Sequence, residues 1–125
     1  MTRRPQTWRW ASVSLGWVGL ACACMAPSRA EIGYNESIRP ILVENCFACH
    51  GADSASRQAG LRLDRFEDAV DYGALIPGDS DSSMLLDRIY SDDPELVMPP
   101  PETKKVLSAA EKKLLTQWMN DQCCS

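Results

Sequence analysis

The chain has 125 residues and a single histidine, His50, and that scarcity removes more possibilities than any other feature. Zinc takes about four protein ligands in a structural site, and one histidine without a second well-spaced C-x-x-C pair cannot supply them. Two histidines from this chain cannot meet at one metal, and no nucleophile–base arrangement is recognisable. The alternating strand pattern of a thioredoxin-like βαβ unit is missing. Aromatic residues are only 7 % of the chain, and Trp118 is the sole tryptophan beyond residue 30. The one apolar run, Ala11 to Ala26, is shorter than the ~20 residues that span a bilayer. There is no internal repeat and no sign of a second domain.

What is present is the run Cys46-Phe47-Ala48-Cys49-His50. C-x-x-C-H is the covalent attachment motif of a c-type haem. Two thiols three residues apart on a helical turn lie on one face, within reach of the two vinyl groups of one porphyrin. A histidine next to the second thiol is then held beneath the iron, as its proximal ligand. A bare C-x-x-C also serves as half a zinc site, a thiol–disulfide pair or one arm of a disulfide framework.

Residues 1–30 read as a cleaved export signal. Arg3, Arg4 and Arg9 form the positive segment, Ala11 to Ala26 the apolar one, and Ser28-Arg29-Ala30 the small-residue cleavage site. This predicts a periplasmic protein exported by the general secretory route. Acylation at Cys22 or Cys24 is the minor alternative, since Gly19 and Ala21 stand where a lipoprotein signal needs a bulky aliphatic residue. Residues 31–125 then form one small domain. Losing four arginines and no acid takes the formal net charge from −4 to −8. Such a surface disfavours nucleic acid and steers partners with basic docking faces. Cys123 and Cys124, adjacent at the C-terminus, are left free, paired with another chain, or closed on each other.

Three helices are predicted. The first spans roughly Ser37 to Ala48, with Pro40 tolerated in the first turn, where N–H groups lack partners. The second starts at Ser80 or Asp81 and carries Met84, Leu85, Leu86 and Ile89. The third opens on a capping box, Ser108-Ala109-Ala110-Glu111, and presents Ala110, Leu114, Leu115, Trp118 and Met119 on one face. Gly60 to Asp64 alternates apolar and polar residues like a short strand, and Ser91 to Lys105 is too rich in proline for a continuous helix. A chain this small needs a staple, which a covalent haem would provide.

Met84 and Met119 sit at helical spacing and read as core packing. Met98 lies in an irregular loop stiffened by Pro99, Pro100 and Pro101, and is the expected distal iron ligand. A His/Met pair raises the reduction potential and fills the coordination sphere, which favours electron transfer.

Ile38-Arg39-Pro40-Ile41-Leu42, Cys46 to Gly51, Gly60-Leu61-Arg62-Leu63-Asp64, Pro77-Gly78, Ser83, Met98-Pro99-Pro100, Leu107-Ser108 and Glu111 to Trp118, in that order, resemble the planctomycete-type cytochrome c domain. The resemblance covers essentially all of residues 31–125. It departs at Asp71-Tyr72-Gly73, where paired glycines are usual. It implies a mainly α, class I cytochrome c-like fold with three principal helices and long loops around one covalent haem c. The N- and C-terminal helices are expected to cross near a haem edge. It also implies thioethers at Cys46 and Cys49, and His50 and Met98 as axial ligands. The Pro77 carbonyl is the candidate acceptor for the proximal imidazole N–H. The expected function is exported monohaem electron transfer between redox partners, by a carrier with no catalytic site of its own. The alternatives are a haem-based sensor or docking module for small ligands, and a thiol redox protein cycling Cys46 and Cys49.

Overall fold

The computed structural model of the chain describes residues 30–121. Apart from Ala30, the predicted export signal lies outside them, as do Cys22, Cys24, Cys123 and Cys124. Among the described residues there is no strand, and the four α-helices are α1 (Arg39–Asn45), α2 (Phe66–Asp71), α3 (Met84–Tyr90) and α4 (Ala109–Asp121). The fold is small and mainly α, with long loops, as the sequence predicts.

The first helical segment begins earlier than expected. Tyr34–Ile38 forms a turn of π-helix, in which the Arg39 N–H reaches back to the Tyr34 carbonyl, and α1 follows directly. The wider turn falls beside Pro40, which has no N–H to continue the ladder. This segment carries Ile38, Ile41 and Leu42 into the core.

α4 matches its expected start. The Ser108 N–H donates to Glu111 Oε2 at 2.7 Å, and the Glu111 N–H donates to Ser108 Oγ at 3.2 Å. Leu115, Trp118 and Met119 are buried, whereas Ala110, expected on the same face, is exposed. Trp118 packs against Tyr34, ring centroids 5.6 Å apart, and edge-on against Phe66 at 6.3 Å. α4 also packs on α3, where the Tyr90 and Thr116 hydroxyls lie 3.2 Å apart. Full burial of Ile38, Leu115 and Met119 contributes about 1.5–3 kcal/mol each.

α3 is capped two to three residues later than expected from Ser80 or Asp81. Its N-cap is Ser83, and the first N–H groups are satisfied by backbone: Met84 donates to the Gly73 carbonyl at 3.4 Å and Leu85 to that of Ala74 at 3.0 Å. The buried Ser83 hydroxyl is thereby released for another task. It accepts from the Ile76 N–H at 2.9 Å and donates to the Asp79 carbonyl at 2.7 Å, pinning the 76–79 turn.

α2 was not predicted: six residues are too few to show a helical period. It ends where Gly73 adopts φ +81°, a conformation that favours glycine. Gly60 to Asp64 does not form the short strand its alternation suggests: with no strand among the described residues to pair with, it runs as loop and turn. Leu63 is buried, while Arg62 and Asp64 pair through two hydrogen bonds, one at 3.0 Å.

Candidate haem-binding cleft

Helix α1 ends at Asn45, and the C-x-x-C-H run follows as a single turn. The Cys46 carbonyl accepts from the N–H groups of Cys49 at 3.1 Å and His50 at 2.8 Å. Gly51 is buried behind it; a Cβ there would sit 2.3 Å from the Phe47 carbonyl oxygen. The next loop is locked from within. Arg57 donates to the Gly51 and Ala52 carbonyls at 2.9 and 2.8 Å, Gln58 N–H to the Cys49 carbonyl at 2.7 Å, and Leu63 N–H to the His50 carbonyl at 2.8 Å. Both peptide groups around His50 are therefore fixed.

Cys46, His50 and Met98 line one cleft, which encloses about 680 Å³ out to its open side. Its walls are mostly apolar. Leu61, Leu63 and Ala59 come from the loop after the motif, Tyr72 and Ala74 from the turn after α2, and Met84, Leu85, Arg88 and Ile89 from one face of α3. The structure thus joins residues 52 positions apart in sequence around a single apolar space. Cys49 is exposed and is not part of this lining.

Met98 reaches the cleft because its N–H donates to the Arg88 carbonyl at 3.0 Å, tying the proline-rich loop to the end of α3. Met84, expected in the core, is 41 % exposed and lines the same cleft, whereas Met119 is fully buried as expected. The cleft faces of α3, Met84 with Arg88 and Leu85 with Ile89, are pairs four residues apart. That spacing was the available signal for them.

Nδ1 of His50 is buried and makes no hydrogen bond, to Pro77 or to any other group. Burial holds the ring below the ordinary histidine value; the Gln58 backbone opposes this without making a hydrogen bond of standard geometry to Nδ1. That shift favours the neutral imidazole, the form that coordinates a metal. Burial pushes the Cys46 thiol up to about 11, against the lowering effect of Lys105 and with a further raise from Cys49. At neutral pH Cys46 is held as a thiol.

These features fit a c-type haem. An apolar cleft of this size suits a large planar ligand, Cys46 and Cys49 offer thiols for thioether links, and His50 and Met98 offer an imidazole and a thioether for iron. The unpartnered Nδ1 is the kind of buried polar atom that calls for an explanation. Among the described residues no cluster of three or more His, Cys, Asp or Glu could hold a metal ion by itself. Among them, also, no helix is long and apolar enough to cross a membrane.

Searches among curated proteins and among solved structures find no match to the chain. A family model described as Planctomycete cytochrome C matches residues 46–102, from the first thiol of the motif to just beyond Met98. A cytochrome c domain implies covalently bound haem c, the group the cleft fits. Residues 46–102 of this chain belong to a planctomycete-type cytochrome c domain.

Proposed function

We propose that the chain is an exported, monohaem electron carrier whose iron is held between His50 and Met98, with the domain extending over residues 31–125. The observation that carries this reading is the meeting of Cys46, His50 and Met98 on one apolar cleft. Bound there, haem c supplies one-electron chemistry at iron. Cys46 and Cys49 anchor it covalently. The His50 imidazole, neutral and backed by fixed peptide groups, acts as the proximal ligand. Its Nδ1–H requires a carbonyl acceptor, either Pro77, as the family resemblance implies, or Gln58, whose backbone already acts on the ring. Met98, on a loop anchored at the Arg88 carbonyl, would supply a thioether as the second iron ligand. Leu61, Leu63, Leu85 and Ile89 keep water from the iron, which with the thioether raises the reduction potential. The acidic surface of residues 31–125 suits redox partners with basic docking faces, met in the periplasm after residues 1–30 are removed.

Expression with a c-haem maturation system, SDS denaturation and haem staining tests attachment. The denatured band is expected to stain, and loss of stain would return the motif to the thiol reading. The oxidised protein is expected to show a sulfur-to-iron charge-transfer band that vanishes in Met98→Ala and persists in Met84→Leu. The sensor alternative requires rapid carbon monoxide binding by the reduced wild type; slow binding is expected.

A further inference from the structure

Two cations outside the proposed ligand set tie down the segment that carries Met98. At one end two bonds converge on position 88. The backbone carbonyl, which any residue there supplies, accepts from Met98 N–H at 3.0 Å. The Arg88 guanidinium Nη1 donates to the Leu96 carbonyl at 3.3 Å, the one of the two that the side chain provides. At the other end, Lys105 Nζ donates to the carbonyl of Glu44, in the last turn of α1 and two residues before Cys46. Residues 96–105 are thus a strap drawn from α3 across to the base of the C-x-x-C-H turn. Arg88 itself lines the cleft, where among the described lining residues it is the one side chain with a permanent charge. Neither cation supplies a buried apolar side chain, and both reach across to backbone carbonyls of other segments.

We propose that Arg88 and Lys105 are positioning residues for Met98, setting together how firmly its thioether is held against the iron. This rests on the His50/Met98 reading above. Hydrogen bonds present only while the strap is seated favour the Met98-bound state over one in which the strap lifts. A bond between a cation and an exposed carbonyl shifts such an equilibrium by about three- to tenfold.

The test uses the haem-loaded protein and reads carbon monoxide capture by the reduced form together with the sulfur-to-iron band of the oxidised form. Arg88→Leu and Lys105→Met are each expected to speed capture about three- to tenfold and to weaken the band, with Arg88→Lys in between. In a Met98→Ala background the same substitutions are expected to leave capture unchanged, because no thioether remains to be positioned. Unchanged capture in the Met98 background, or an equal acceleration in the Met98→Ala background, would overturn the proposal. Should Arg88→Leu fail to mature, Arg88→Lys and Lys105→Met carry the same comparison. A wild type without the band, capturing as fast as Met98→Ala, would instead remove the Met98 ligation on which the proposal rests.

Discussion

Gly51 follows the last residue of the haem motif, and its requirement is steric. With a Cβ 2.3 Å from the Phe47 carbonyl oxygen, alanine cannot enter unless the Cys46–His50 turn shifts. Gly51→Ala is expected to destabilise the fold by about 1–3 kcal/mol, measured by denaturant unfolding, and to reduce haem incorporation in parallel. A variant of unchanged stability would show the turn to be more compliant than its hydrogen bonds imply. The two cleft methionines illustrate a different point. Met84 and Met98 have the same chemistry and line the same space, but Met98 is held by a backbone bond into a proline-flanked loop, while Met84 stands 41 % exposed at the first residue of α3. Rigidity of the supporting backbone, rather than residue type, favours Met98 as the ligand.

The helices differ in how their ends are satisfied. α4 uses side chains, the reciprocal Ser108–Glu111 pair, and its start is legible from four consecutive residues. α3 uses carbonyls from the Gly73–Ala74 turn, and no local pattern announces that. Ser83 joins the two halves of this unit, since its hydroxyl bridges the 76–79 turn while its peptide begins α3. Ser83→Ala leaves the Ile76 N–H and Asp79 carbonyl without this partner, an expected cost of about 1–2 kcal/mol. A drop in the thermal midpoint with intact haem staining would agree; no drop would mean that water replaces the hydroxyl. The Leu85 and Ile89 wall of the cleft depends on this seating, so the variant also tests how tightly α3 is registered on the site.

Across the whole molecule, acid sensitivity is written into the loops. The Arg62 guanidinium beside Asp64 holds that carboxyl below its ordinary value, Ser82 does so for Asp79, and the Ala55 N–H with the Ser56 hydroxyl for Asp53. A carboxyl depressed in the folded state stabilises it above the unfolded pKa, near 3.8 here, and the contribution is lost as pH falls through the folded value. Stability is therefore expected to decline as pH falls below about 4. The thermal midpoint of Asp64→Asn should fall less steeply there than that of the wild type; parallel curves would assign the acid transition to other groups. The position of Trp118 gives a second global test. In residues 31–125 it is the sole tryptophan, buried between Tyr34 and Phe66 in the core beside the cleft walls. Haem at the proposed site should quench its fluorescence strongly, with recovery on unfolding. Bright native fluorescence would count against a haem in this cleft.

The order of residues sets the chemistry available: two thiols and a histidine in one turn, no second histidine, and a methionine set in prolines. It also determined the mainly α class and the start of α4, because those depend on neighbours within one or two helical turns. The tertiary structure alone decided which side chains meet. Arg88 became the anchor of the Met98 loop, Met84 left the core for the cleft, and Ser83 exchanged capping for turn-pinning, each through partners eight or more residues distant or through backbone groups with no side-chain signature. Local composition fixes what a residue can do; only the packing of loops against α3 decides what it faces.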